Sequence, residues 1–199
     1  MPRPVFFAAD ARDTDSGRTA LVVQTWRHTR EGEGSYQFAP SDWHELRKQT
    51  DAEIKREILR HLQKTVVTVV LVGDETHARR WVRHEILRTL ELGHGLLAVQ
   101  LPPEPDTSRG HLPENPLDQI YFQVDYARQA ILLWEWDRKT NRWTPPEDVA
   151  AIPLARVKYP IERAEGLLSN AFHTYDWLAL NGTQNFGRWV ELAARYARQ

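Results

Sequence analysis

The feature of the sequence that most constrains the fold is a nearly continuous run of β-branched residues, Val66-Val67-Thr68-Val69-Val70-Leu71-Val72. A strand with apolar residues at successive positions has both faces covered, which is typical of a central strand in a parallel sheet. Lys64 and Gly73 bound the run. The pattern therefore predicts the central strand of a parallel α/β sheet.

Further strands and helices are predicted on both sides of this run. Short apolar segments at Pro4 to Ala9 and Leu96 to Leu101 predict two more buried strands. Ser16 and Thr76 are suited to helix starts, and Gly93 is suited to a left-handed helix end. The predicted helices cover residues 18–30, 51–62 and 76–92. This alternation is typical of an open α/β sheet, whose ligands lie beyond the carboxyl ends of the strands.

Beyond residue 102 the pattern predicts an elaboration of the sheet rather than a second full domain. An apolar strand at 131–136 leads into a hairpin at 137–143, and the chain ends in an amphipathic helix from residue 185 onward. A length of 199 residues fits one domain. We therefore expect a single domain over 1–199, with a core at 1–101 and an extension over 102–199.

Composition excludes several classes of function. The chain has 26 Lys and Arg against 27 Asp and Glu, so it lacks the basic excess expected of a nucleic-acid-binding protein. The absence of cysteine excludes disulfides, thiolate metal sites and cysteine nucleophiles, and it suits a reducing compartment. No apolar stretch approaches the roughly 18 residues of a membrane span. We expect a cytoplasmic protein that binds neither nucleic acid nor membrane.

One carboxylate stands out on the predicted helix at 76–92. Glu85 falls on the shoulder of the apolar stripe, with the indole of Trp81 one turn before it. Spacing alone favours a simple explanation, an ion pair between Glu85 and Arg88 at i,i+3. The eight histidines show no ligand spacing, and the chain contains neither a GxGxxG nor a GxxxxGK[ST] loop. We therefore expect no metal site and no bound cofactor.

Several blocks of the sequence resemble, in order, the TIR-like family of the bacterial Thoeris antiphage system. They are Thr65 to Thr76, Arg80 to Ile86, Leu92 to Leu97, Glu114 to Asp118, Tyr175 to Gly182, and Trp189-Val190-Glu191. Together these blocks span most of the chain. The resemblance implies a flavodoxin-like, TIR-like open parallel sheet flanked by helices, with an extra hairpin and a terminal helix.

The block Trp-Val-x-x-Glu-Ile is also similar to the segment that carries the catalytic glutamate in TIR domains that cleave NAD. This resemblance implies that Glu85 is the catalytic carboxylate and that Trp81 lies in the wall of the substrate pocket. It further implies that NAD is a substrate rather than a cofactor, that the product is a cyclic ADP-ribose-type signal, and that a separate effector senses this product after a phage-derived trigger.

The implied chemistry needs only one carboxylate. Cleavage of the bond between nicotinamide and ribose releases a neutral group from a cationic one, so no general acid is required, unlike ordinary glycoside hydrolysis. A single glutamate can stabilise the positively charged transition state. The sequence leaves open whether water or a second nucleophile captures the ribosyl cation, and hence whether the product is linear or cyclic.

The loop after the first strand departs from the family. Relatives usually show Ser-Phe-His and an aromatic residue, whereas this chain reads Ala8-Ala9-Asp10-Ala11-Arg12-Asp13. We expect Asp10 to contact the substrate, because it stands at the carboxyl edge of the sheet. Two alternatives stay open: Asp10 and Arg12 take over ribose or phosphate contacts, or the chain has a changed product or reduced activity.

Two other classes of function also remain. The residues Asp10, Asp13 and Asp74 could form the acidic Mg²⁺ pocket of a phosphoacceptor receiver, although no lysine ends a well-defined late strand as that mechanism needs. A TIR-like module without catalysis could instead recruit a partner through exposed aromatic residues.

Overall fold

The computed structural model describes residues 3–103, 113–157 and 163–197. Its strands are β1 (Val5–Ala9), β2 (Tyr36–Gln37), β3 (Val67–Val72), β4 (Gly95–Gln100), β5 (Ile120–Asp125), β6 (Ala130–Asp137), β7 (Arg142–Thr144), β8 (Ile152–Pro153), β9 (Glu165–Leu167) and β10 (Thr174–Asp176). Its α-helices are α1 (Ala11–Asp15), α2 (Ala20–Arg27), α3 (Pro40–Leu46), α4 (Asp51–Leu62), α5 (Arg80–Leu92) and α6 (Gly182–Arg195). In these described parts, no helix combines the length and apolar character needed to cross a bilayer.

The first sheet is parallel and has β3 at its centre. Its strand order is β10-β4-β3-β1-β2, and all of its strand pairs are parallel. Every residue of β3 is buried, because neighbouring strands cover both edges and helices cover both faces. The prediction of a central parallel strand, and of an α/β fold of this class, is therefore confirmed.

Two apolar clusters form the core, one on each face of this sheet. Alternate residues of β1 enter different clusters, as the two-residue period of a strand requires: Phe6 joins the first cluster and Phe7 the second. Helices α4 and α5 supply the first cluster with Ile54, Ile58, Leu62, Val82, Ile86 and Leu90. Helices α2 and α6 supply the second cluster with Val22, Val23, Trp26, Phe186, Trp189 and Val190.

Helix boundaries differ from the predicted ones where polar side chains act locally. Ser16 does not start a helix, because Asp10 caps the short helix α1 and Ser16 ends it. Thr76 lies in a 3-10 turn, Thr76–Ala78, where its hydroxyl accepts a hydrogen bond from the Gly73 amide at 2.9 Å. Gly93 ends α5 in the left-handed conformation, with φ at 71°, as predicted.

The second sheet is antiparallel and lies within the predicted extension. Its strand order is β7-β6-β5-β9, with β8 also pairing with β6. The predicted hairpin is present, since β6 pairs with β7 around Asp137 and Arg142. The inward side chains of this sheet join the same core cluster as α5. By contrast, β10 and α6 belong to the first sheet, so the chain returns there after the second sheet.

Candidate functional site

Glu85 lies in the interior, although the sequence predicted a half-exposed position. Glu85 is 1% exposed, and its Oε2 atom has no hydrogen-bond partner among the described residues. Burial raises the pKa of Glu85 well above its usual value, because the charged form is poorly solvated there. The prediction failed because α5 also contacts the 3-10 helix Pro116–Gln119 at the start of β5, and helical spacing cannot reveal that cover.

The expected ion pair between Glu85 and Arg88 is not formed. Arg88 instead pairs with Glu91, three residues further along α5. The backbone around Glu85 is fixed by hydroxyl groups: Thr89 Oγ1 donates to the Glu85 carbonyl at 2.7 Å and lies 2.7 Å from Thr68 Oγ1 on β3. Glu85 is therefore a buried carboxyl group with one unpaired oxygen, Oε2, on a firmly held helix. Such a group is costly and points to a role beyond packing.

Trp81 lines a cleft of about 500 Å³. The cleft lies between the first turns of α4 and α5 on one side and β6 with residues 144–149 on the other. Because helices in a parallel sheet begin at its carboxyl edge, the Trp81 end of the cleft lies near that edge. Glu85 is not among the residues that line this cleft. The structure thus places Trp81 and Glu85 one helical turn apart, with only Trp81 at the cleft wall.

Charged residues line the cleft in pairs, two of which join helices α4 and α5 to the second sheet or to the segment that follows β7. Lys55 of α4 pairs with Asp148, and Arg83 Nε lies 3.5 Å from Glu135 Oε1 on β6. At the mouth, Arg80 and Asp51 approach to 2.6 Å. Glu135 was not predicted from the sequence, although a strand pattern could have indicated it, since Glu135 occupies an inward position two residues after the buried Leu133.

His84 is a buried polar residue of the cleft. It is 7% exposed, and its Nε2 atom is buried without a hydrogen-bond partner in the described chain. Its ring meets the Trp81 indole edge to face at 6.0 Å. Burial, reinforced by the positive charge of Arg88, lowers the pKa of His84 to about 4. The imidazole is therefore uncharged at neutral pH.

Asp10 lies at the carboxyl edge, where the sequence placed it, but its carboxylate already has partners. It is 5% exposed, accepts a hydrogen bond from the Arg12 amide at 3.3 Å, and pairs with Arg79 Nε at 2.9 Å. Asp13 pairs in a similar way with Arg18 at 2.7 Å. Arg18 also donates to the Pro102 carbonyl and lies 3.6 Å from Asp74, so the loops after β1, β3 and β4 converge.

These arginine pairs argue against the receiver interpretation. A phosphoacceptor pocket needs carboxylates that are free to hold Mg²⁺, whereas Asp10 and Asp13 each face a guanidinium group. Within residues 3–103, 113–157 and 163–197, no group of three or more histidine, aspartate or glutamate side chains could hold a metal ion. The acidic loop is thus built as an ion-pair network between strand ends.

The Asp10–Arg79 pair yields a stability prediction. Asp10→Ala is expected to lower the free energy of unfolding by about 1–3 kcal/mol, because it removes a helix cap and leaves Arg79 with only its weaker ion pair to Glu75, at 3.8 Å. Arg79→Ala should overlap with this loss, so the double variant should be less destabilised than the sum of the two. Denaturant titration of the three variants measures this coupling. If the two losses of unfolding free energy simply add, the Asp10–Arg79 pair contributes nothing to stability. The control is Arg12→Ala, because Arg12 is exposed.

Comparison with known proteins adds a family likeness to this geometry. The family described as "Thoeris protein ThsB, TIR-like domain" matches residues 12–106. A protein of Bacillus cereus (strain MSX-D12) named "Putative cyclic ADP-D-ribose synthase ThsB1" is 29% identical over 196 residues. That alignment covers 96% of this chain and 100% of the relative. The likeness therefore extends over both sheets.

Proposed function

Because the chain belongs to the TIR-like family of Thoeris ThsB proteins, we propose that it cleaves NAD and makes a cyclic ADP-ribose-type signal nucleotide. The observation that carries the proposal is the position on α5 of a buried carboxyl group with an unpaired oxygen, Glu85 Oε2, one turn after the cleft-lining indole of Trp81. The name of the Bacillus cereus relative supports the same class of product.

Glu85 is proposed as the catalytic carboxylate. In the free protein, burial favours its neutral form. A nicotinamide ring attached to ribose carries a positive charge, and an opposite charge within a few ångströms favours ionisation of a carboxyl group. We therefore propose that Glu85 ionises only when the substrate arrives, after the wall formed by Trp81 shifts. Its charge then stabilises the developing ribosyl cation in a dry site, where such stabilisation is strong.

The cyclic product follows from the exclusion of water. The bond between ribose C1′ and the nicotinamide nitrogen breaks, and neutral nicotinamide leaves with the electron pair. A nucleophile of the remaining ADP-ribose then bonds to C1′ and releases a proton, so no external reactant is consumed. Glu85 is 1% exposed, so few waters compete for the cation around this carboxylate.

The first loop is proposed to bind the polar part of the substrate. Asp10 would act there together with Arg79, whose guanidinium it holds at the carboxyl edge of the sheet. The exposed Arg12 on α1 is a second cation at this edge. In this arrangement the family's usual first-loop residues are replaced by charged groups suited to ribose hydroxyls and phosphates.

The biological proposal is a signalling step in antiphage defence in the bacterial cytoplasm. A phage-derived trigger would start synthesis, and a separate effector would sense the product. The test is nucleotide profiling of infected cells that express either this protein or its Glu85→Gln variant. A cyclic ADP-ribose isomer that appears only with the unaltered chain supports the proposal. Because Glu85 does not line the cleft, an adaptor without catalysis is the alternative. Profiles that lack a cyclic ADP-ribose isomer for both proteins would support the adaptor, whereas the isomer in both profiles would remove Glu85 from catalysis.

A further inference from the structure

Arg83 of α5 takes no part in the proposed reaction, yet its guanidinium group joins two segments that are far apart in the sequence. Its Nη1 group donates a hydrogen bond to the His77 carbonyl at 3.2 Å, in the 3-10 turn Thr76–Ala78 that follows β3. Its Nε atom is buried and lies 3.5 Å from Glu135 Oε1 on β6. One side chain therefore connects the loop after β3 in the first sheet to the second sheet.

The surroundings of this connection distinguish it from an ordinary surface ion pair. The side chain of Glu135 is 27% exposed, and burial raises the pKa of this carboxyl group, whereas the charge of Arg83 lowers it. The charged form of Glu135 thus depends on Arg83. A second connection between the same turn and the second sheet runs from His77 through Glu114 to Arg138, but the side chain of Glu114 is 62% exposed. Pairs this exposed contribute little, so Arg83 makes the main connection.

The turn that Arg83 contacts leads directly into Arg79, the partner of Asp10. Arg79 follows the last residue of the turn and precedes the first residue of α5. At the carboxyl edge of the sheet, Arg79 Nε donates to Asp10 Oδ2 at 2.9 Å. The start of the turn is fixed to the end of β3 by a hydrogen bond of its own. The His77 carbonyl, two residues before Arg79, is the point at which Arg83 fixes the other end.

An arginine side chain suits both contacts at once. Its planar guanidinium group presents several donors in a fixed fork, whereas the ammonium group of a lysine is a single point of charge. Arg83→Lys would therefore keep a positive charge near Glu135 but could not also reach the His77 carbonyl. The main-chain hydrogen bond from the Arg83 amide to the Arg79 carbonyl, at 3.2 Å, does not depend on the side chain. This substitution thus isolates the effect of the side chain on the turn.

We propose that Arg83 is a positioning residue, which ties the turn at 76–78 to β6 and so keeps the Arg79 guanidinium in place beside Asp10. The inference rests on the proposed function, under which Asp10 and Arg79 bind the polar part of the substrate. Arg83 then acts on the ribose and diphosphate groups through Arg79. The second sheet contributes to the same contact through Glu135.

The first test measures the coupling free energy between Asp10 and Arg79. Denaturant titrations of the two single alanine variants and of the double variant give this coupling in the unaltered chain, and the cycle is repeated in Arg83→Lys and in Arg88→Lys. We expect Arg83→Lys to remove about half of the coupling. Arg88→Lys is the matched control, because Arg88 lies on the same helix, has a side chain that is also 19% exposed, and pairs with Glu91. Its coupling should equal that of the unaltered chain.

A role of Arg83 in local packing alone would lower the stability of Arg83→Lys and leave the coupling unchanged, and that result would overturn the inference. A coupling of zero in the unaltered chain would also overturn it, because there would be no pair to position. Glu135→Gln keeps the test decisive if Arg83→Lys fails to fold, since it removes the charge that faces Arg83 and leaves both arginines intact. It should also reduce the coupling, and an unchanged value would count against the inference.

The second test measures the affinity of the full chain for ADP-ribose by isothermal titration calorimetry. This probe carries the diphosphate and ribose groups but not the bond that the proposed reaction cleaves. Arg83→Lys should weaken its binding about fivefold, whereas Arg88→Lys should bind as the unaltered chain does. Equal affinities for the unaltered chain and Arg83→Lys would overturn the link between Arg83 and the substrate. If the unaltered chain does not bind ADP-ribose, the proposed role of the first loop is refuted alone, because the coupling measurement needs no ligand.

Discussion

Glu85→Gln is expected to lower NAD turnover in triggered cells by at least about 100-fold, the usual loss when one group that stabilises transition-state charge is removed. Glutamine keeps the shape of the neutral carboxyl group but cannot ionise when the cationic substrate arrives. Glu85 is 1% exposed and unpaired at Oε2, so this substitution breaks no ion pair. Turnover is measured as the cyclic product per unit of folded protein.

The same variant should be more stable than the unaltered chain at neutral and alkaline pH. Burial holds the pKa of Glu85 in the folded state above its unfolded value. As pH rises above the unfolded pKa, the unfolded chain releases its proton first, and the folded state loses relative stability until its own pKa is passed. Glutamine does not titrate, so its advantage grows above the unfolded pKa and vanishes below it. Denaturant midpoints at acidic and alkaline pH test this difference.

The control for both measurements is Glu91→Gln, which loses only the partly exposed pair with Arg88 on the same helix. It should retain turnover and show little dependence of stability on pH. Full turnover by a folded Glu85→Gln protein would remove Glu85 from catalysis. A stability gain without any loss of turnover would identify this carboxyl group as a structural burden with no chemical role.

Removal of helix α6 is expected to abolish soluble expression. Its residue Trp189 is 7% exposed and stacks on Tyr175 with ring centroids 4.4 Å apart and 3° between the planes. Phe186 meets Trp26 of α2 edge to face at 5.9 Å, so α6 also holds α2. Truncation after Asn181 exposes the part of this face of the first sheet that α6 covers. We expect insoluble protein, and we expect Trp189→Ala alone to cost about 3–5 kcal/mol of unfolding free energy.

The matched control on α6 is Arg188→Ala, because Arg188 is exposed one position before Trp189. It should change the unfolding free energy by less than about 0.5 kcal/mol. A soluble fragment that ends at Asn181 and melts cooperatively would contradict the prediction. It would show that the first sheet is stable when α6 no longer packs against it. Small-scale expression with a solubility assay, followed by thermal melting, provides the measurement.

The sequence predicted correctly those strands and helix ends that depend on residues close together in the chain. The β-branched run at β3 predicted its own burial, because a strand covered on both faces needs apolar residues at every position. Gly93 predicted a left-handed helix end, since glycine adopts this conformation without strain. The first-loop acid Asp10 was correctly placed at the carboxyl edge, although its cap on α1 and its pair with Arg79 needed the folded chain.

The second sheet, the burial of Glu85 and the lining of the cleft depend on contacts between segments that are far apart in the chain. Strands β8 and β9 are two and three residues long and carry no detectable period. The second sheet therefore could not be predicted beyond its hairpin. The same sheet and its leading 3-10 helix cover α5, which is why the burial of Glu85 differed from its helical spacing. Glu135 and Asp148 reach the cleft only through this packing.

The neighbouring strands β4 and β10 also constrain how the chain assembles. They pair in parallel although about seventy residues separate them, and closing a loop of that length carries an entropic cost that grows with its logarithm. The hairpins of the second sheet are local and shorten this span once they form. Formation of the second sheet thus brings the C-terminal segment closer to β4. We therefore expect the amides of β10 and α6 to gain protection last in pulsed hydrogen exchange during refolding. A sequence change that weakens the second sheet would then slow closure of the first.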